Sequence, residues 1–177
     1  RMTYADVTAI IRKEKETAER YPDLTDFLTD AAELTEILKE ARQRRGAVDL
    51  AVKEAKILYE NGTISVPDYE RTVSHEMIEQ FMVLANESVA ELAMQKQLPF
   101  VYRIHEAPAP EKASAFAAFC NETGVPCKFD PENVAPKDFQ AVLNGLKDSP
   151  LFHVVNRVML RSMMKEIYSP ENKGHFG

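Results

Sequence analysis

The 177 residues include no tryptophan, two cysteines and six glycines, and each shortage excludes a class of protein. Two cysteines cannot hold together a disulfide scaffold. Cys120 and Cys127 also lack the spacing of a redox pair or of a zinc knuckle. We therefore expect two reduced, unreactive thiols, as is usual in a cytoplasmic protein.

Long apolar runs and glycine-rich phosphate loops are missing too. No stretch approaches the roughly 20 apolar residues of a membrane-spanning helix, and no apolar segment follows a basic start as in a secretory signal. The sequence has neither a G-x-x-x-x-G-K loop nor a G-x-S-x-G elbow. These absences argue against a membrane protein, a nucleoside-triphosphate enzyme and a hydrolase of the nucleophile-elbow type.

Charge is unevenly distributed along the chain. The formal net charge is -6, yet residues 151–177 carry four basic and two acidic side chains. Overall acidity argues against a protein that coats nucleic acid, although an average hides local patches. On charge alone, a solvated face is the simplest interpretation of the basic C-terminal segment.

Apolar residues at three- and four-residue spacing predict six helices separated by proline and glycine. The predicted helices cover residues 3–20, 23–45, 73–96, 111–123, 136–147 and 151–168. A capping box at residues 3–6 begins the first helix. The third helix should bury a stripe formed by Val73, Met77, Phe81, Leu84, Ala85, Val89 and Leu92.

Short runs rich in β-forming residues lie between the predicted helices. They cover residues 47–50, 56–59, 64–66 and 100–105, and Asn61-Gly62 suits a tight hairpin turn. No internal repeat or domain linker interrupts the chain. The sequence therefore predicts an α+β fold, helix-rich with a small mixed or antiparallel sheet, and a single unit over residues 1–177.

The segment from His75 to Glu79 nearly matches the helical zinc motif of metalloproteases. That motif needs histidines at positions i and i+4, so that two imidazoles reach one metal ion. Glu79 occupies the second histidine position, and no third ligand is recognisable. A solvated His–Glu pair at helical spacing is the simpler interpretation, and a metal enzyme built on His75 and Glu79 is our third hypothesis.

Polar side chains also occur at two places where a ligand groove is conceivable. Arg103 and His105 alternate onto one face of a predicted strand, where they could meet a phosphate. Alternatively, Arg103 is buried and paired with Glu79 or Glu106. Glu79 also shares a helix face with Asn86, either lining a groove or forming the solvated side of the helix. Residue spacing leaves these alternatives open.

Several stretches match the motifs of one family in the order in which that family has them. The RNB exoribonucleases, the ribonuclease II and ribonuclease R family, carry R-R-G-A-[IVL]-D, I-E-E-F-M-L-x-A-N-E, Y-R-[VI]-H-E, L-R-[ST]-M and Y-[ST]-x-E-N-x-G-H-F-G. This chain resembles them at residues 44–49, 78–87, 102–106, 160–163 and 168–177, and residues 1–7 resemble the start of the helical part. The ribonuclease R branch fits best.

The resemblance implies a partial RNB domain from a 3′→5′ exoribonuclease that hydrolyses single-stranded RNA to nucleoside 5′-monophosphates. The family holds Mg²⁺ with a D-x-x-x-x-x-D-x-D-D cluster, and this motif is absent from the sequence. We therefore expect an internal to C-terminal portion of the catalytic domain, with the S1 and cold-shock domains outside it. It should contain no catalytic or metal-binding residue, bind no Mg²⁺ and be inactive alone.

The same resemblance implies RNA-binding roles for six residues. Glu79 falls on the family position that contacts the terminal nucleotide. The other five match motif positions near the RNA path, so that this piece would form channel wall and scaffold: Arg103, His105, Arg161, Tyr168 and His175.

A second hypothesis belongs to a different class of function. The acidic net charge and the missing metal ligands also fit a non-catalytic helical module that binds a protein or RNA partner. Strands whose partners lie outside the chain would leave open edges. We therefore also expect that the chain could dimerise or exchange segments with a second copy.

Overall fold

The computed structural model describes residues 2–48, 50, 57–60, 62–66 and 71–177. Two compact units divide the chain, one made of Arg1–Ala41 and Val52–Val89 and the other of Arg42–Ala51 and Ala90–Gly177. The described residues form α1 (Tyr4–Ile11), α2 (Lys15–Arg20), α3 (Pro22–Arg45), β1 (Leu58–Glu60), β2 (Thr63–Ser65), α4 (Val73–Gln95), β3 (Tyr102–Ile104), α5 (Pro110–Glu122), α6 (Pro136–Asn144), α7 (Phe152–Ser162) and β4 (Ile167–Ser169).

The first predicted helix is in fact two helices, α1 and α2. The capping box at its start is present, since the Thr3 hydroxyl accepts from the Asp6 backbone N–H at 3.2 Å. The Asp6 carboxylate in turn accepts from the Thr3 N–H at 2.9 Å. The expectation of one continuous helix is wrong because Lys13 has a φ of +62°, which a right-handed helix cannot accommodate.

Helix α3 confirms the second predicted helix and corrects its first residue. Pro22, which we expected to lie between two helices, is the first residue of α3. Proline suits this position because its fixed φ is helical. A backbone N–H at the first helical position has no acceptor within the helix, so its absence in proline costs no hydrogen bond. The helix stops before Gly46, whose φ is +90°, and a Cβ there would lie only 2.9 Å from the Cβ of Lys137.

Strands β1 and β2 form an antiparallel hairpin in the first unit. Leu58 lies opposite Ser65, and Gly62 in the connection has a φ of +78°. A positive φ at this position is what the predicted hairpin turn requires. Asn61, the other residue of the predicted turn, lies outside the described residues.

The strand predicted at residues 47–50 is wrong at its described positions, none of which lies in a strand. Val48 instead packs its side chain into the core of the second unit. Residues 49 and 51–56 lie outside the described residues. The strand predicted at 56–59 is therefore testable only near its end, where β1 begins.

Helix α4 has the predicted extent, but the predicted buried stripe is largely wrong. Met77 is 5% exposed, whereas Val89 and Leu92 are each 52% exposed. The buried side chains of the helix are mixed in character and include Ser74 and Gln80. Three-four spacing places apolar residues on one face but does not supply an element to cover that face.

Phenylalanine rings pack against one another within the core of the second unit. Phe116 on α5 and Phe139 on α6 are almost completely buried, with ring centroids 5.2 Å apart. Phe139 also lies 5.5 Å from Phe129 and 5.6 Å from Phe176, distances typical of favourable ring packing. The remaining buried side chains of this cluster are Val48, Ala113, Cys120, Val125, Val134, Val142, Leu143, Leu146, Val155, Met159 and Met163.

The last predicted helix is wrong in its final third. Helix α7 ends at Ser162, where Met163 turns to an extended backbone conformation with its side chain buried in the core. Residues Ile167–Ser169 then form β4, which pairs antiparallel with β3 so that Arg103 lies opposite Tyr168. We refer to this strand pair as the β3–β4 ribbon.

The fold class is confirmed as helix-rich α+β, and the paired strands form two small antiparallel sheets. None of the described helices combines the length and apolar character needed to span a membrane. The assignment of residues 1–177 to a single unit of a larger catalytic domain stays a prediction.

Candidate functional site

Four of the six site residues predicted from the sequence come together on the β3–β4 ribbon and the segment that follows it. These are Arg103, His105, Tyr168 and His175, and Glu166 joins them. We call these five residues the ribbon cluster.

Alternation along β3 decides which side chains reach this cluster. Tyr102 and Ile104 are 8% and 1% exposed and pack inward. Arg103 therefore points outward, which decides between the two alternatives that residue spacing left open. The antiparallel register places Tyr168 of β4 directly opposite Arg103, so the two side chains share one face of the ribbon.

Arg103 is the centre of a polar network on the exposed face. Its Nε donates to the Glu166 carboxylate, and its Nη1 lies 3.5 Å from the Tyr168 hydroxyl. The guanidinium carbon is 5.6 Å from the centroid of the Tyr168 ring, within cation–π range. The hydrogen bond between Arg103 and Glu166 raises the pKa of Arg103 and lowers the pKa of Glu166.

The alternative of a buried Arg103 paired with Glu79 or Glu106 is wrong. Arg103 is largely exposed and its carboxylate partner is Glu166. Glu106 instead lies 3.7 Å from Lys173. The strand places Arg103 on the solvent side, so its charge is not desolvated and needs no buried partner.

His105 departs from the strand pattern because its ring is buried. It is 8% exposed, and neither ring nitrogen has a hydrogen-bond partner of good geometry among the described residues. Its backbone is held on both sides, since its N–H donates to the Gly174 carbonyl at 3.1 Å and its carbonyl accepts from the Phe176 N–H at 2.8 Å. Burial lowers the pKa of His105, and the neighbouring His175 acts in the same direction.

His175 brings a second imidazole to the cluster. Its Nε2 lies 3.5 Å from Glu166 Oε1, and its ring centroid is 5.3 Å from that of His105. One ligand atom from each of His105, Glu166 and His175 lies within 4.8 Å of the others. Among the described residues this is the one group of three or more metal-binding side chains so arranged.

The donor set of this group tests whether it suits Mg²⁺, the ion that the family resemblance implies. Mg²⁺ prefers oxygen ligands in octahedral geometry. Two imidazoles and one carboxylate are instead typical of zinc and related transition metals. The residues of this chain that lie together therefore do not fit Mg²⁺.

The two other predicted site residues lie elsewhere. Glu79 is on α4 in the first unit, where its carboxylate lies 2.5 Å from Arg71. Arg161 is an exposed residue near the end of α7 in the second unit.

The near-zincin segment on α4 engages in ordinary side-chain contacts. His75 stacks on Tyr4 with ring centroids 4.1 Å apart, and its Nδ1 lies 2.7 Å from the Thr72 hydroxyl. Glu76 accepts from Lys39 at 2.7 Å. These contacts favour the interpretation of His75 as a structural helix residue and not as a metal ligand.

Glu166 is the functional candidate that sequence reasoning missed. The predicted helix over residues 151–168 placed it on a helix surface, away from any strand. No local signal would have identified it, because the apolar residues continue at helical spacing from Val155 through Met163 to Ile167. Its contacts with Arg103 and His175 depend on β3–β4 pairing between distant parts of the chain.

Comparisons with curated proteins match the chain to part of a larger enzyme. Ribonuclease R of Thermotoga maritima is 38% identical over 180 residues, which cover 100% of this chain and 25% of the relative. Ribonuclease R of Escherichia coli K12 is 33% identical over 181 residues, covering 100% of this chain and 22% of the relative. The chain thus spans about a quarter of the length of these relatives.

Solved structures give a consistent result. RNase R of Mycoplasma genitalium in complex with ribose-methylated single-stranded RNA matches 99% of this chain and 28% of its own, with a TM-score of 0.86 and 26% identity. The complex of the same enzyme with double-stranded RNA has the same TM-score and identity, and 32% of its chain is covered.

The RNB domain matches residues 1–177, which is the whole chain. Relatives above 30% identity over the full chain and a solved fold with a TM-score of 0.86 agree with this match. The chain therefore belongs to the RNB domain family.

Proposed function

We propose that the protein containing this chain is a hydrolytic 3′→5′ exoribonuclease that degrades single-stranded RNA to nucleoside 5′-monophosphates. The observation that carries the proposal is the RNB match along the entire chain. The fold shared with an RNase R that was solved bound to RNA supports it. In this proposal the chain contributes channel wall and scaffold.

The proposed enzyme uses Mg²⁺ as a Lewis acid in phosphodiester hydrolysis. The aspartate motif that the resemblance assigns to this ion does not occur in the sequence. We therefore assign no Mg²⁺ ligand to this chain and no catalytic residue.

Six residues of the chain are proposed to contact RNA. Arg103 and Tyr168 are the best placed, because an exposed guanidinium beside an exposed ring can bind a phosphate and stack on a base. The other four are proposed on the family resemblance: Glu79, His105, Arg161 and His175. We further place the protein in the cytoplasm, where reducing conditions suit the free thiols Cys120 and Cys127.

The decisive experiment uses the whole enzyme and single-stranded RNA labelled at its 5′ end. We expect Mg²⁺-dependent shortening from the 3′ end with release of nucleoside 5′-monophosphates. Early release of the 5′-labelled nucleotide, or RNA left intact by the folded enzyme, would contradict the proposal. EDTA should abolish the reaction, and an excess of Mg²⁺ should restore it.

The contribution of the exposed Arg103–Tyr168 pair can be measured in the same assay. We expect Tyr168→Ala to raise the KM for single-stranded RNA, because a stacked base is worth about 1–3 kcal/mol. Tyr59→Ala, which removes an equally exposed ring from β1, is the matched control. Equal effects of the two substitutions would remove Tyr168 from the RNA-binding surface.

The chain by itself should not degrade RNA, because it lacks the aspartate motif. Incubation with labelled RNA and Mg²⁺ tests this expectation. Processive release of monophosphates by the isolated chain would contradict it.

We also propose that the isolated chain self-associates. Each strand of the β1–β2 hairpin has one neighbour among the described residues, and open strand edges favour pairing with another chain. A rise in molar mass with concentration, measured by light scattering, is expected. A constant monomer mass across the concentration range would refute this proposal.

A further inference from the structure

We propose that His105, Glu166 and His175 form a binding site for a divalent transition-metal ion of the zinc class. The three residues lie in the second unit, and their ligand atoms are within 4.8 Å of one another. The proposal concerns this chain's own side chains and goes beyond the proposed exoribonuclease activity.

The chemistry of the donors selects the ion. Zinc is bound in proteins by imidazole nitrogen and carboxylate oxygen at about 2.0–2.2 Å, and two histidines with one glutamate form a complete three-ligand protein set. A water molecule occupies the fourth position in such sites. Oxygen-preferring ions such as Mg²⁺ are poorly served by two imidazoles.

The two histidines are held in place by their backbones. Residues 105 and 175 form an isolated bridge of parallel type, supported by the bonds from His105 to Gly174 and Phe176. The histidine side chains therefore start from fixed positions. Donor atoms bound to one ion at about 2.1 Å lie roughly 3–4 Å apart. The three ligand atoms are already within 4.8 Å of one another, so side-chain rotation alone could bring them to this separation.

His105 gives an independent indication that the cluster takes a ligand. Its side chain is 8% exposed, and its ring makes no well-aligned hydrogen bond among the described residues, its contact with the Met164 backbone being poorly aligned. A buried polar atom without a partner costs about 1–3 kcal/mol. A metal ion bound to one of these nitrogens would remove that cost.

The other two ligands each have an atom available. Arg103 is hydrogen-bonded to Glu166 Oε2, whereas Oε1 faces His175 Nε2 at 3.5 Å. His175 Nδ1 lies 3.3 Å from both the carbonyl and the N–H of Gly177, and the tautomer decides whether it donates to the first or accepts from the second. In the tautomer that donates to this carbonyl, the Nε2 lone pair is free to bind a metal, which is the usual arrangement of histidine ligands.

Cobalt(II) is the probe for the first experiment, because it replaces zinc and absorbs visible light when bound by nitrogen and oxygen ligands at low coordination number. The full chain is titrated with Co²⁺, and Zn²⁺ is then added. We expect a saturable absorption with one ion per chain and its loss when Zn²⁺ displaces Co²⁺. The absence of a saturable signal would overturn the proposal.

Substitutions locate the site. His175→Ala and Glu166→Gln should weaken Co²⁺ binding roughly 10-fold or more, since even outer-shell changes at metal sites have effects of this size. His153→Ala is the matched control, because it removes an exposed histidine from α7 of the same unit. Unchanged binding by both ligand variants, or equal loss in the control, would refute the assignment.

A stability measurement covers the case in which a variant folds poorly. Zn²⁺ should raise the melting temperature of the wild-type chain and of His153→Ala, because an ion that binds only the folded state stabilises it. At the same Zn²⁺ concentration it should raise the melting temperature of Glu166→Gln by less. An equal rise in all three proteins would contradict binding at this cluster.

Discussion

In the second unit, apolar side chains from three helices and the C-terminal segment pack around four phenylalanines. Among the described residues, the first unit has fewer buried side chains than the second, and they are of mixed character. Its described residues bury Ile10, Leu28, Ala31 and Met77 together with the polar side chains of Thr8, Thr35, Ser74 and Gln80. The described part of the chain thus contains one unit whose buried side chains are mainly apolar and one in which half of them are polar.

Hydroxyl groups illustrate how the first unit is held together. Thr8 Oγ1 lies 2.7 Å from Ser74 Oγ and 3.1 Å from Thr72 Oγ1. Ser74 Oγ also donates to the Tyr4 carbonyl at 2.9 Å. These bonds join α1 to the start of α4. A buried hydroxyl network contributes little net energy when satisfied but is costly to break.

The largest expected effect is the loss of a core ring in the second unit. Phe139→Ala should lower the free energy of unfolding by about 3–5 kcal/mol, because it removes a buried side chain and leaves a cavity. Phe27→Ala on α3 of the first unit, where the ring is 64% exposed, should change stability by less than about 0.5 kcal/mol. Urea unfolding measures both free energies. Equal losses of stability in the two variants would contradict the contrast between the buried Phe139 of the second unit and the exposed Phe27 of the first.

Thiol reactivity tests how readily the core of the second unit opens to solvent. Burial raises the pKa of Cys120 to about 12 and also raises the pKa of Cys127. At about pH 8 the thiolate fraction of Cys120 is then roughly 10³-fold below that of an ordinary thiol. We expect alkylation to be slower by a similar factor in the native chain than in denaturant, whereas comparable rates would show that this unit opens readily.

Breaking the hydroxyl network should have a smaller but measurable effect. Ser74→Ala should cost about 1–3 kcal/mol of unfolding free energy, because the Thr8 hydroxyl and the Tyr4 carbonyl lose a partner. Ser88→Ala is the matched control on the same helix, since its exposed hydroxyl donates to the Leu84 carbonyl within that helix. If both substitutions have the same effect, buried polar contacts do not stabilise the first unit.

The smallest expected effect concerns the N-terminal cap of α1. Thr3→Ala should lower the stability of the first unit by about 1 kcal/mol, the usual effect of losing an N-cap hydroxyl. Helix content and urea unfolding are the measurements. No detectable change would mean that α1 does not need its cap to remain folded.

Acidification should act on the same cap. Hydrogen bonds from the Thr3 backbone and side chain hold the pKa of Asp6 below its ordinary value of 3.8. A carboxylate whose folded pKa is lowered stabilises the fold above its unfolded pKa, and this contribution disappears as the pH falls through the folded value. An NMR titration of Asp6 with a midpoint at or above 3.8 would contradict the capping geometry.

Local patterns in the sequence predicted much of the helical structure. Capping at Thr3, helix termination at Gly46 and the hairpin glycine at Gly62 depend on neighbours within a few residues, and the structure has all three. The break at Lys13 was missed because a positive φ at lysine leaves no signature in residue type. The ordered motifs identified the RNB family, which the spacing of apolar and polar residues alone did not indicate.

Long-range contacts account for what the sequence could not predict. The apolar residues after Leu151 continue at helical spacing as far as Ile167, yet Ile167 belongs to β4 because pairing with β3 outweighs local preference. The same pairing brings Glu166 to Arg103 and to His175. Of the candidate site, Arg103, His105, Tyr168 and His175 were named from motifs, but their mutual contacts required the fold.

The β3–β4 ribbon also has a consequence for the order of folding. Arg103 and Glu166 meet across 63 residues of chain, and closing a loop of that length costs roughly 4 kcal/mol in chain entropy. Such contacts become favourable once the intervening helices α5, α6 and α7 have condensed and brought the two strands together. The ribbon should therefore be among the last parts of the second unit to form, so that the histidines brought together there report completed folding.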